Sequence, residues 1–142
     1  MERKLRIISI LALVALLGLG IRHEFKRYAQ SKRETAYRST LQTYSYNLKP
    51  GMTRKVVESF LQAKNVDVLH MCCIVFSRTV RHSWDDIIKI GEEDTPWYCG
   101  RHSVYLAFQF NGFAKLPGYE TIDNDLDTLK AITIYHRMEY CL

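Results

Sequence analysis

At 142 residues, with 47% apolar and 25% charged side chains, the chain has room for one folded domain and an appendage, and this ordinary usage excludes the low-complexity, collagen-like and disordered classes. The net charge of +5 is unevenly placed: residues 22–49 hold seven basic side chains against two acidic ones, whereas residues 50–142 hold ten against twelve. A nucleic-acid binder carries its positive patch on the folded domain, so nucleic acid is excluded as a partner, and the basic third reads as the flank of a membrane segment, where anionic headgroups lie.

The first element is the run Ile7 to Ile21, uncharged and polar only at Ser9. As a helix its 15 residues reach about 22 Å, against a hydrocarbon core of roughly 30 Å. Leu5 and the stems of Arg3, Lys4 and Arg22 extend it by snorkelling. A signal peptide is the alternative. The absence of a small-x-small site after the run favours a retained anchor over residues 1–21. The flanking charges leave its direction open; the cysteines favour a cytoplasmic N-terminus and an external domain.

From Arg22 to Tyr46 no proline or glycine occurs, and Phe25, Tyr28, Ala36, Tyr37, Leu41, Tyr44 and Leu48 recur at helical spacing. This predicts a basic amphipathic stalk over residues 22–46, ended by Lys49-Pro50-Gly51. Residues 47–142 form the domain. Thr53 is placed as the N-cap of a second helix, with Met52 and Val57 at the spacing of a hydrophobic staple. Val56, Val57, Phe60 and Leu61 share its apolar face, and Asn65 suits the left-handed position after its last turn.

Strands follow. Val66 to Val80 is rich in β-branched and apolar residues. A polar loop with Trp84, Ile87, Ile88 and Ile90 leads to Thr95-Pro96-Trp97. Val104, Leu106, Phe108 and Phe110 then alternate to one face of a second strand, Ser103 to Phe110. Residues 111–127 read as a long loop and Leu129 to Met138 as the last strand. The expected fold is therefore α+β: a transmembrane helix, a helical stalk, and a two-layer domain of helices on a three-stranded antiparallel sheet.

Cys72, Cys73, Cys99 and Cys141 allow three pairings. Cys72 and Cys73 are adjacent on a strand and point to opposite faces, whereas Cys99 and Cys141 mark strand ends an antiparallel sheet can bring together. A Cys99–Cys141 disulfide is expected if the domain is extracytoplasmic. His70-Met71-Cys72-Cys73 and Cys99-Gly100-Arg101-His102 gather soft ligands but lack the paired spacing of a zinc site. His82 and His136 have no evident partner. Asp123-Asn124-Asp125-Leu126-Asp127 opens like a calcium loop, but Thr128 replaces the glycine and Ile134 the final glutamate that such a loop needs. No metal or cofactor is expected, and no nucleophile-elbow, phosphate-loop or dinucleotide motif occurs.

Leu48, Gly51, Met52, Thr53, Val57 and Leu61 together resemble the helix-opening motif L-x-x-G-M-T-x-x-x-V-x-x-x-L of the SmpA/OmlA, or BamE-like, small envelope proteins. The resemblance implies two helices on a three-stranded antiparallel sheet; it carries no functional residue across. The functional expectation is a non-enzymatic binding or scaffold module. It would be held in the inner membrane by a single-pass anchor and act with an envelope protein partner. A metal- or thiol-dependent redox protein and a pilin-like subunit are the alternatives.

Overall fold

The computed structural model describes residues 2–72, 84–112 and 122–142, with side chains described for all of these except residues 2–15 and Cys72. The elements are α1 (Glu2–Asn47), α2 (Arg54–Ala63), β1 (Leu69–Cys72), β2 (Trp84–Glu92), β3 (Arg101–Asn111) and β4 (Thr128–Glu139). The chain divides into two compact units, Met1–Ala36 and Tyr37–Leu142.

The first unit is helical throughout from Glu2. Among the described residues no helix is long and apolar enough to cross a membrane. This overturns the expected single-pass anchor, and with it the membrane as a partner and the inner membrane as the location. The physical reason is length. The apolar run stops after 15 residues, short of the roughly 20 a span needs, and the same helix goes on through Arg22, His23, Glu24 and Lys26. Residues 7–15 of the run lie outside the described side chains.

The second unit is α+β, but among the described residues its sheet has four strands where three were expected. They run β1-β2-β3-β4, every neighbour antiparallel. The added strand is β2, whose residues were expected to form a polar loop. Its Asp85 and Asp86 are both buried, and a buried aspartate reads as loop until its counter-charge is seen. β1 is the part of the Val66–Val80 strand that is described; residues 73–80 lie outside the description, as do residues 113–121 of the long loop.

One face of the sheet carries the main core. Val57 and Leu61 of α2 lie against Ile88, Leu106, Phe108 and Phe110, with Leu48 and Leu129 closing the rim. Each such side chain contributes about 1.5–3 kcal/mol relative to exposure. Tyr44 of α1 meets Phe60 and Phe108 edge to face, with ring centroids 6.1 and 5.8 Å apart. Val56 was expected on this face but is half exposed. On the opposite face Ile87, Tyr105 and Ala107 pack with Met71 and Tyr135.

The Leu48–Val57 segment stitches the helices to the sheet. Gly51 has φ 91, a conformation that needs glycine. Its N–H donates to the Leu129 carbonyl at 2.8 Å, and the Leu129 N–H donates to the Met52 carbonyl at 2.7 Å. Thr53 stands at the N-cap of α2, yet its hydroxyl makes no capping bond. The first helical N–H groups are taken instead by the loop before β4: Arg54 N–H donates to the Asp127 carbonyl and Lys55 N–H to the Asn124 carbonyl, at 2.8 and 2.9 Å. Asn65 adopts φ 54 just past the helix.

Candidate functional site

Three polar or exposed constellations stand on the sheet of the second unit. The first surrounds Arg54, the first residue of α2, whose position on the buried face sets its guanidinium beneath the helix at 1% exposure. One terminal nitrogen donates to Asp86 Oδ1 at 2.6 Å, and the other donates to the Trp84 carbonyl. Its Nε lies 3.2 Å from Asp127 Oδ2, an ion pair without hydrogen-bond alignment. The guanidinium carbon sits 4.0 Å over the Phe110 ring, a cation–π contact. His70 of β1 adds Nδ1 at 2.8 Å from the same Asp86 oxygen.

Burial pushes the Asp86 carboxyl above its ordinary value; the Arg54 and His70 charges oppose this, and Asp127 reinforces it. Glu58 is also raised, by burial first and by the Asp86 charge second. An arginine already shared by two carboxylates has little to offer an external anion. The cluster joins α2, β1, β2 and the turn before β4. That turn is the acidic run 123–127, where Asp123 Oδ1 accepts the N–H groups of Asp125 and Leu126 at 3.2 Å each.

The second constellation lies on the same face at the opposite end of the sheet. Glu93 follows β2 and its N–H donates to the His102 carbonyl at 2.9 Å. His102 of β3 pairs with Met138, and Val104 pairs with His136 of β4, so the two histidines are diagonal neighbours. Each presents Nδ1 at 3.6 Å from Glu93 Oε2, and their ring centroids are 5.8 Å apart. The side chains of His102 and Glu93 are only 12% and 15% exposed; that of His136 is 45% exposed.

Compared with family models, curated proteins and solved structures, the chain matches none. What it can do is therefore read from its own geometry.

The third constellation is the sheet edge beside the second. Cys99 and Cys141 are joined in a disulfide. Gly100 N–H donates to the Glu139 and Tyr140 carbonyls at 3.1 and 3.2 Å, and Leu142 N–H to the Tyr98 carbonyl at 2.9 Å. A Cβ on Gly100 would meet Tyr140 Cβ at 3.2 Å, so glycine permits the close approach. Around this clasp Trp97 is 91% exposed, Tyr140 82%, and Leu142 fully exposed. Tyr140 has φ 57, a sparsely populated backbone state for a residue with a Cβ.

Of the residues singled out in the sequence, Leu48, Gly51, Met52, Thr53 and Val57 build the helix opening. Cys99 is spent in the disulfide and so is no metal ligand beside His102. His70 belongs to the Arg54 cluster; Cys73 and the Cys72 side chain lie outside the description. His136, left without a partner by the sequence, stands beside His102 and Glu93. The only advance signal was its place on an alternating strand, since the pairing register that unites the three is not written in any one segment.

Proposed function

We propose that the second unit is a non-enzymatic binding module whose docking surface is the disulfide-clasped edge, and that its occupant is another protein. The observation that carries this is the exposure of Trp97 and Tyr140 on backbone fixed by the Cys99–Cys141 bond. Aromatic side chains dominate binding energy at protein interfaces. Presenting them on a constrained backbone lowers the ordering cost of association. The unusual φ of Tyr140 supports the same reading, because strain held by surrounding structure collects where surfaces work. The likeness of the Leu48–Val57 segment to BamE-like domains supports the scaffold but contributes no residue to this edge.

The test is site-specific photo-crosslinking of the full chain in its native host. A photo-reactive residue in place of Trp97 is expected to give one discrete protein adduct, and the same residue in place of exposed Lys130 none. Tyr140→Ala should abolish the adduct while leaving the circular dichroism spectrum unchanged. A diffuse ladder, or equal labelling from both positions, sinks the proposal.

A further inference from the structure

Glu93, His102 and His136 stand apart from the docking edge in chemistry. One ligand atom of each lies within 4.8 Å of the other two. We infer that these three residues form a binding site for a divalent transition-metal ion of the Zn²⁺ class, with two imidazoles and one carboxylate as ligands and a fourth position left for water or a partner's donor.

The distances set this trio apart from a hydrogen-bonded cluster. Hydrogen bonds between nitrogen and oxygen fall at about 2.7–3.2 Å, whereas both imidazoles stand 3.6 Å from Glu93 Oε2. Zinc bonds of about 2.0–2.2 Å at tetrahedral angles place neighbouring ligand atoms about 3.3–3.6 Å apart. The observed separation is thus within a few tenths of an ångström of two edges of a zinc tetrahedron. His136 is the most exposed of the three, at 45%. Burial of Glu93 and His102 adds to the attraction, because a carboxylate meets a cation more strongly away from water.

A second trio, Glu58, His70 and Asp86, has comparable spacing but fails the same criterion. His70 is already at hydrogen-bond distance from Asp86, and Arg54 occupies that carboxylate. A metal there would have to displace a buried guanidinium. Two imidazoles and a carboxylate with a fourth open position are a donor set that zinc takes. The three ligands come from the residue after β2, from β3 and from β4, so a bound ion would tie the ends of three adjacent strands.

The experiment is titration of the full-length wild-type protein with Co²⁺ alone, followed by visible absorption, and then displacement by Zn²⁺. One equivalent of Co²⁺ with a nitrogen/oxygen ligand spectrum is expected, together with a rise in melting temperature on adding Zn²⁺. His102→Gln, His136→Ala and Glu93→Gln should each weaken binding at least about tenfold, since even removal of groups behind the ligands costs 10–100-fold. His70→Ala should leave it unchanged. Circular dichroism of each metal-free variant separates a lost ligand from a lost fold. Absence of stoichiometric binding overturns the inference. So does an intense sulfur-to-cobalt band, an affinity left unweakened by any of the three substitutions, or binding lost with His70→Ala.

Discussion

The two ends of the sheet are held by different chemistry. At the end where β2 and β4 begin, Arg54 draws Asp86 and Asp127 together in a buried ionic cluster with bonds as short as 2.6 Å. At the other end a covalent bond closes the edge, and the polar groups beside it stand at 3.6 Å, outside hydrogen-bond reach. The first end has satisfied its cation requirement with a residue of the chain itself. The second is closed by a disulfide, and its two histidines stand beyond hydrogen-bond distance of Glu93. Burial alone therefore does not mark a working site; what matters is whether the polar groups are already spent on one another.

The largest expected effect breaks the first end. Arg54→Met removes the shared cation and leaves Asp86 and Asp127 buried without it, which should cost about 3–5 kcal/mol in urea unfolding. A loss below about 1 kcal/mol would mean that water reaches the carboxylates and that the two ends are not so different. Next is the clasp: Cys99→Ser with Cys141→Ser opens a link across 42 residues, and about 2–4 kcal/mol should be lost in the same assay. An equal loss from reducing the wild-type protein would assign the effect to the bond.

A smaller effect tests the electrostatics of the Arg54 end. The raised Asp86 carboxyl means that the folded state binds its proton more tightly than the unfolded chain. Its contribution is therefore fully present below the ordinary carboxylate range and is lost as pH rises through the raised folded value. Asp86→Asn should flatten that part of the stability-versus-pH curve; an unchanged slope would refute the assignment. The smallest effect concerns the helix start. A working threonine cap is worth about 1 kcal/mol, but the Thr53 hydroxyl makes no capping bond. Thr53→Ala should cost well under that amount, because the carbonyls of Asn124 and Asp127 do the capping.

How far the sequence revealed this molecule depended on whether the deciding interaction was local. The break at Lys49-Pro50-Gly51, α2 and the alternation of β3 were readable, since turn chemistry and periodicity act within a few residues. β2 was not. Trp84-Asp85-Asp86 looks polar, and the partners that make Asp86 acceptable inside, Arg54 at 32 residues and His70 at 16 residues before it, lie on other elements. The apolar N-terminal run suggested a membrane span through its composition, whereas length and the charged continuation of the same helix decide against one. The trio of Glu93, His102 and His136 arises from strand register, which depends on how three segments align.

The meander order of the sheet has a consequence for how the unit assembles. Each strand pairs with the next in the chain, so β2–β3 and β3–β4 can zip as hairpins with low contact order. Arg54 cannot settle until both its carboxylates have arrived, one from β2 and one from the turn before β4. It thus acts as a latch that closes on a finished sheet. Interactions made that late leave folding rates almost untouched and govern unfolding instead, so Arg54→Met should act chiefly by hastening the loss of the native state. The residue that ties the helix to the sheet is in this sense the timekeeper of the native lifetime.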